Sequence, residues 1–150
     1  MRIAGELNRK IATPAETRTL LERFSRTQSG VVLVRSEDNL GYTRSANVGI
    51  RETSAPYVVL LNSDTVVAHD TFDKLVACGE QLPRIGIIGP LSNAAGYQTV
   101  PVLHGPSGGF FVNELPEGYS VDDMARLTEA VADGSLPIVP FVNGFCYAIK

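Results

Sequence analysis

The sequence predicts an α/β fold in which helices cover both faces of a layered, mostly parallel sheet. Two observations carry this prediction. Three short runs of consecutive apolar residues, at 31–34, 57–61 and 85–88, have the composition of strands that are buried on both faces. A segment with helical spacing of its apolar residues precedes each run, so the order of elements is α-β-α-β-α-β. Strands that alternate with helices in this way are typical of parallel βαβ crossovers.

Three signals place the start of the first helix at Thr13. The Thr13 hydroxyl can cap the helix, Pro14 suits the first helical position, and Glu16 completes a capping box. Gly30 is predicted to end the segment before the first apolar run. One face of this helix is expected to carry Thr17, Leu20, Leu21 and Phe24.

The second and third helices also have recognisable ends. The second is predicted to begin near Gly41 and to reach Thr53, because Pro56 cannot continue it. Asp70 is predicted to cap the third helix, and Pro83 lies beyond its end. Ala46 and Ile50 are expected to point inward on the second helix, and the third helix contains Phe72, Leu75 and Val76.

The rest of the chain is less regular. Residues 90–118 are rich in glycine and proline and are predicted to form a long irregular region. A fourth helix is expected to begin at Ser120 and to be capped by Gly134. Residues 138–149 are predicted to form one strand or two short ones.

The composition indicates one globular domain that spans residues 1–150. The 13 basic and 16 acidic side chains leave a formal charge of -3, so no surface for nucleic acid is expected. Cys78 and Cys146 have no metal-ligand spacing and are predicted to be free thiols. The apolar runs are too short to cross a membrane, and residues 1–6 show no signal peptide. The predicted location is the cytoplasm, or the periphery of the inner face of the membrane.

Three polar loops follow the three apolar runs, at 36–41, 62–65 and 89–93. Ligands bind beyond the carboxyl ends of strands in open parallel sheets, so these loops are expected to form the site. The sequence contains neither a P-loop nor a dinucleotide-binding glycine motif. Asp64 is the most informative residue, because a carboxylate at the end of a buried strand can bind Mg²⁺ or Mn²⁺ together with substrate phosphates. The alternative is that Asp64 merely closes a turn.

Two ordered segments, at 39–50 and 55–65, resemble the family-2 glycosyltransferases. The family pattern reads N-x-G followed by A-x-N-x-G, and then an apolar strand that ends in a short acidic motif of the D-x-D type. The closing residues 141–150 also resemble the family's strand after the donor site. The resemblance implies a GT-A-like fold, incomplete at both ends. It also implies metal-assisted, inverting transfer of a sugar from a nucleotide-diphosphate sugar to a glycan or another hydroxyl acceptor.

The resemblance assigns roles on the donor side. Asp64 would bind the metal, Mg²⁺ or Mn²⁺, that holds the donor diphosphate. Asn62 replaces the first acid of the family motif, so weaker metal binding is expected in the absence of the nucleotide. Ser63 would lie beside the donor sugar or ribose. Arg44 could contact a phosphate, but it is equally consistent with an arginine on a solvated helix face. Asn47 could contact the ligand, but it is equally consistent with a structural hydrogen bond between helix and loop. The implied donor-binding residues are Asn39, Gly41, Arg44, Asn47, Asn62, Ser63 and Asp64.

The acceptor side and the ends of the chain are less well defined. Asn143 and Gly144 are placed on the acceptor side. No catalytic residue is assigned, because the family's general base follows the strand at 141–149 and is expected beyond Lys150. Residues 3–11 hold too little apolar sequence for the family's first two strands. The chain is therefore expected to be a fragment of the catalytic domain, and unpaired sheet edges predict a homo-oligomer.

Other functions stay open. A non-catalytic nucleotide-sugar-binding module, or a truncated inactive product, would keep the donor residues without turnover. A sugar nucleotidyltransferase would need a glycine-rich N-terminal loop with a basic residue, which this sequence lacks. An unrelated doubly wound domain would leave Asp64 facing no phosphate site. The predicted partners are a nucleotide-diphosphate sugar and a glycan acceptor, and the predicted process is polysaccharide biosynthesis.

Overall fold

The computed structural model describes residues 12–150, and the expectation for residues 3–11 lies outside this range. The chain divides into two compact units, one that ends at Gly49 and one that runs from Ile50 to Lys150. The described residues contain four α-helices, one 3₁₀ helix and three short strands. None of these helices is long and apolar enough to span a membrane.

The first helix, α1, spans Pro14–Thr27 and begins as the sequence predicts. The Glu16 amide donates to the Thr13 hydroxyl at 3.2 Å, and the Glu16 carboxylate accepts from the Thr13 amide at 2.8 Å. This capping box satisfies two of the amides that a helix N-terminus leaves unpaired. The helix ends where the Gln28 amide donates to the carbonyl of Phe24. Its apolar face stays half exposed, and no residue of α1 is buried.

The strand predicted at residues 31–34 is wrong. These residues form no strand within the described part of the chain, and their side chains are exposed, up to 76% for Val32. A strand requires a hydrogen-bonded neighbour, and an apolar run by itself does not supply one. The composition of the run therefore identified an apolar segment, but it could not show whether a neighbouring strand pairs with it.

The second helix, α2, spans Gly41–Arg51 and begins in the first unit. The Asn39 side-chain oxygen accepts from the Gly41 amide at 2.9 Å, which is an Asx turn before the helix. Gly41 has a φ of +70°, a backbone conformation that favours glycine. The predicted start at Gly41 is therefore confirmed, and it depends on these two residues of the N-x-G motif.

The sheet lies in the second unit and is antiparallel, which corrects the predicted mostly parallel arrangement. Its strands are β1 (Val58–Leu61), β2 (Ile87–Ile88) and β3 (Cys146–Ile149), in the order β1-β3-β2. Val58 pairs with Ile149, and Ile88 pairs with Ala148. The last strand runs between the two earlier ones in the opposite direction. Strand direction depends on a segment that comes much later in the chain, so the local apolar pattern could not predict it.

The core lies between this sheet and α3, which spans Thr71–Gln81. Asp70 occupies the N-cap position as predicted, but its side chain makes no capping bond and instead pairs with Lys74 Nζ at 2.9 Å. That pairing lowers the pKa of the Asp70 carboxyl. The buried residues at the centre of this core are Leu75, Ile88, Cys146 and Ala148.

The predicted irregular region contains one 3₁₀ helix, Gly96–Gln98, and two isolated bridges. The buried side chain of Asn113 holds this region together. Its amide donates to the carbonyls of Asn93 and Val102 at 3.1 and 3.0 Å, and its oxygen accepts from the Val102 amide at 3.2 Å. These bonds give irregular backbone the partners that a regular element would otherwise supply.

The last helix, α4, spans Val121–Val131. Ser120 caps it in a box with Asp123, so the predicted start is confirmed. The predicted cap at Gly134 is wrong, because the helix ends at Val131 and its C-cap residue is Ala132, whose amide donates to the Thr128 carbonyl.

Candidate functional site

The predicted metal-binding residues lie in a turn that leaves the end of β1. The Asn62 amide donates to the Phe145 carbonyl at 2.9 Å, and the Thr65 amide donates to the Asn62 carbonyl at 3.1 Å. The Thr65 hydroxyl also donates to the Phe145 carbonyl at 3.3 Å. The turn at 62–65 is therefore closed on itself and fixed to the residue that precedes β3.

The antiparallel direction of β3 brings two predicted parts of the site together. Leu61, the last residue of β1, pairs with Cys146, the first residue of β3. Asn143 and Gly144 lie just before β3, so they are at the same end of the sheet as Asp64. A strand parallel to β1 would have begun at the opposite end. The antiparallel pairing of β1 and β3 therefore supports a common location for the donor-side turn and the acceptor-side residues.

The side chains of this turn are free to meet a ligand. Asn62, Ser63 and Asp64 are all exposed, as are Asn143 and Gly144. Within residues 12–150, no group of three or more histidine, cysteine or acidic side chains comes together as a metal cluster. Asp64 is then a single carboxylate beside a neutral amide. Such a site can hold Mg²⁺ or Mn²⁺ only with ligands from water and from a substrate.

A buried glutamine holds the residues before β3. Gln98 is 6% exposed, and its side-chain oxygen accepts from the Asn143 amide at 2.5 Å. Its side-chain nitrogen donates to the Pro90 carbonyl at 2.6 Å. One amide group thus fixes Asn143 to the loop after β2. Sequence analysis missed Gln98, because nothing in the local pattern distinguishes a buried glutamine from an exposed one.

The remaining predicted donor residues belong to the first unit. Asn39 and Gly41 form the Asx turn before α2, and Arg44 and Asn47 lie on α2 itself. All four are exposed. Arg44 and Asn47 are three positions apart, so their side chains leave the helix on the same side. The structure thus places two of these residues in a turn and two on a helix face, and their part in a donor site stays a prediction.

Charged groups cluster at the other end of the sheet, away from the turn. Lys150 Nζ donates to the Gly79 carbonyl at 2.9 Å and lies 3.5 Å from the Glu80 carboxylate. The Tyr57 hydroxyl donates to the same carboxylate at 2.5 Å. This hydrogen bond and the charge of Lys150 lower the pKa of Glu80. These contacts join the start of β1 and the end of β3 to α3, and they provide no ligand for the turn.

The cysteines take no part in this chemistry. Both are free thiols, as predicted. Cys146 is buried in the core, and burial raises the pKa of its thiol. A raised pKa disfavours the reactive thiolate, which is consistent with a structural residue.

Comparison with known proteins identifies one family. The sequence model of glycosyl transferase family 2 matches residues 12–113. This range contains α2 with its N-x-G motif, β1 and the turn with Asp64, whereas Asn143 and Gly144 lie outside it. No curated protein and no solved structure matches the chain. Because the match covers more than half of its length, the chain belongs to glycosyl transferase family 2.

Proposed function

We propose that the chain binds a nucleotide-diphosphate sugar at the turn after β1 and serves metal-assisted, inverting transfer of the sugar to a hydroxyl of a glycan. Family membership supports glycosyltransferase activity and implies an α/β GT-A fold. The observation that carries the finer proposal is the exposed Asp64 carboxylate in a turn fixed to Phe145. A rigid turn with an exposed carboxylate is suited to a ligand that supplies its own phosphates.

Asp64 is the proposed metal ligand, with the amide oxygen of Asn62 as a neutral second ligand. Mg²⁺ and Mn²⁺ often bind through one or two carboxylates while phosphates and water complete the shell, so the residues present fit either cation. When bound, the cation would neutralise negative charge on the departing nucleotide diphosphate. We therefore propose that the metal binds together with the nucleotide and does not bind alone.

Other residues would complete the donor site. Ser63 is exposed next to Asp64 and is proposed to contact the donor sugar or ribose. The exposed Arg44 guanidinium is suited to a charge-assisted hydrogen bond with a phosphate. Asn39 and Gly41 shape the loop before α2, and Asn47 is proposed to contact the donor from the same helix.

Inverting transfer also needs a base. The acceptor oxygen forms a bond to the anomeric carbon while the bond from that carbon to the diphosphate oxygen breaks, and the acceptor proton passes to a carboxylate. We assign this role to no residue of the chain. Asn143 and Gly144 are proposed to lie on the acceptor side, because they are at the same end of the sheet as Asp64.

A second copy of the chain is a further proposed partner. The side chains of residues 31–34 are exposed and apolar, and these residues form no strand in the described part of the chain. A contiguous run of exposed apolar side chains is suited to contact with another protein chain. This supports the predicted homo-oligomer.

The test of donor binding is calorimetric titration with UDP, GDP and dTDP, with and without Mn²⁺. We expect at least one nucleotide to bind only with Mn²⁺, and Asp64→Ala to weaken that binding at least about tenfold, which corresponds to about 1.4 kcal/mol. Asp73→Ala is the matched control, because Asp73 is an exposed aspartate on α3 that is not among the predicted donor-binding residues. Equal binding by the wild type and Asp64→Ala, or binding that EDTA leaves unchanged, would contradict the proposal.

A turnover assay with the corresponding nucleotide sugars then separates transfer from binding alone. Release of the nucleotide diphosphate that depends on an added acceptor supports a transferase. Metal-dependent binding without release would identify a nucleotide-sugar-binding module or an inactive product.

A further inference from the structure

We propose that three exposed aromatic rings of the second unit, those of Tyr97, Phe110 and Phe141, form a binding surface for a neutral saccharide acceptor. We call these three rings the aromatic surface. The inference rests on the proposed function and deepens it, because it names where the acceptor docks and which chemistry recognises it.

The rings of the aromatic surface contact one another but stay open to solvent. Tyr97 lies edge-on to Phe141 with ring centres 5.3 Å apart, and edge-on to Phe110 at 6.4 Å. The three residues remain between 49% and 58% exposed. Exposed apolar groups that cluster in this way on a protein surface are typical of binding sites, whereas single exposed rings need no explanation.

Buried polar groups hold the turn of the chain that carries Tyr97. Tyr97 is the central residue of the 3₁₀ helix, and its neighbours Gln98 and Thr99 are both buried. The Thr99 hydroxyl accepts from the Ala95 amide at 2.8 Å. These contacts hold the backbone around Tyr97, so a ligand would not have to order this turn of the chain, and the entropic cost of binding is correspondingly smaller.

The aromatic surface adjoins the proposed acceptor side of the site. Phe141 is two residues before Asn143, and the Asn143 amide donates to the side chain of Gln98, the residue after Tyr97. A sugar that lies across Tyr97 and Phe141 is therefore next to Asn143. From there the backbone leads through Gly144 to Phe145, to which the turn with Asp64 is bonded.

The charge distribution selects the kind of ligand. No aspartate, glutamate, lysine or arginine occurs in residues 85–113 or in residues 134–149, the two segments that supply the aromatic surface. Phosphates, nucleic acids and anionic lipid headgroups are recognised by lysine and arginine, which these segments lack. A neutral pyranose presents an apolar face of C–H groups to an aromatic ring, and its hydroxyls suit neutral partners such as the Tyr97 hydroxyl. A neutral saccharide is thus the ligand that complements this surface.

The test uses saturation-transfer NMR on the full chain with the methyl glycosides of glucose, galactose, mannose and rhamnose as probes. We expect transfer to the ring C–H protons of at least one probe. Tyr97→Ala and Phe141→Ala should each weaken its binding about tenfold, equivalent to about 1.4 kcal/mol, the order of one aromatic contact. Tyr97→Phe keeps the ring and should retain binding. Phe72→Ala removes an exposed ring on α3 and should have no effect.

The outcomes separate this inference from the proposed function. Absence of transfer to all four glycosides would overturn the inference. Unchanged transfer in the double variant Tyr97→Ala and Phe141→Ala would also overturn it, provided that the far-UV circular dichroism of this variant matches the wild type. Binding to neutral phosphatidylcholine vesicles that these variants abolish would also overturn it, in favour of a membrane contact. The Mn²⁺-dependent nucleotide titration is repeated on Tyr97→Ala, where we expect the wild-type affinity. Failure of donor binding in the wild type would instead contradict the proposed function.

Discussion

Glycine at position 79 is required by a close approach within the core. It lies on α3, and a β-carbon there would be 2.6 Å from the Tyr57 hydroxyl oxygen and 3.0 Å from the Ile88 side chain. The same Tyr57 hydroxyl donates to Glu80, so it cannot move away without losing that bond. Gly49 on α2 offers the contrast, because a β-carbon there would meet nothing within 4 Å.

This contrast predicts opposite effects for the same substitution. Gly49→Ala should stabilise the chain by about 0.5–1 kcal/mol, since alanine loses less conformational freedom in a helix than glycine. Gly79→Ala has the same propensity gain but should destabilise by about 1–3 kcal/mol through overpacking against Tyr57. Urea unfolding followed by circular dichroism measures both. Equal effects of the two substitutions would show that propensity, not the Tyr57 contact, determines the outcome at position 79.

Residue-scale predictions from sequence were good where the signal is local. The capping boxes at Thr13 and Ser120 and the N-x-G turn at Asn39 each need only a few neighbouring residues, and the structure confirms these helix starts. Gln98 shows the limit of this reasoning. Its partners, Pro90 and Asn143, are 8 and 45 positions away, so its role depends on folded geometry.

At the scale of elements, α4 shows how a capping box makes a helix depend on pH. The hydroxyl and amide of Ser120 and the guanidinium of Arg126 lower the pKa of Asp123 to about 2. An unperturbed aspartate has a pKa of about 3.9. Because the folded value is the lower one, the contribution of Asp123 to stability is present above pH 4 and is lost as the pH falls toward 2.

The corresponding experiment follows the free energy of unfolding between pH 2 and 7. Asp123→Asn should flatten the acid-side decrease in stability, because the group that titrates in this window is removed. Ser120→Ala should cost about 1 kcal/mol at pH 7, the usual cost of losing a serine N-cap. Asp73→Asn is the control, as Asp73 is an exposed carboxylate in the first turn of α3. A pH profile of Asp123→Asn that matches the wild type would contradict this assignment.

The strands were harder to predict than the helices for a physical reason. A helix forms its hydrogen bonds within itself, so its ends can be read from its own residues. A strand forms them with a segment that can be far away, as Leu61 does with Cys146. The apolar runs gave the approximate positions of β1 and β2 but not their direction relative to β3, and they falsely indicated a strand at 31–34.

At the scale of the whole molecule, the described chain leaves much apolar surface uncovered. Leu20 and Phe24 on α1, residues 31–34, and Ile138 are all exposed. Few residues are fully buried, and the central core of the second unit consists of four. A chain of this size normally buries about two thirds of its unfolded surface, so additional burial against a partner is expected to stabilise it.

This leads to a prediction about self-association through residues 31–34. The chain should elute as a dimer or larger species in size-exclusion chromatography with light scattering, and the fraction of oligomer should rise with concentration. Val32→Lys places a charge in the middle of the exposed apolar run. It should shift the population toward monomer, because association through this run would have to bury the lysine charge. Val66→Lys is the matched control, since Val66 is as exposed as Val32, at 76%, but follows the turn with Asp64 in the second unit. A monomer at high concentration in the wild type, or equal dissociation by both substitutions, would show that residues 31–34 are not the contact.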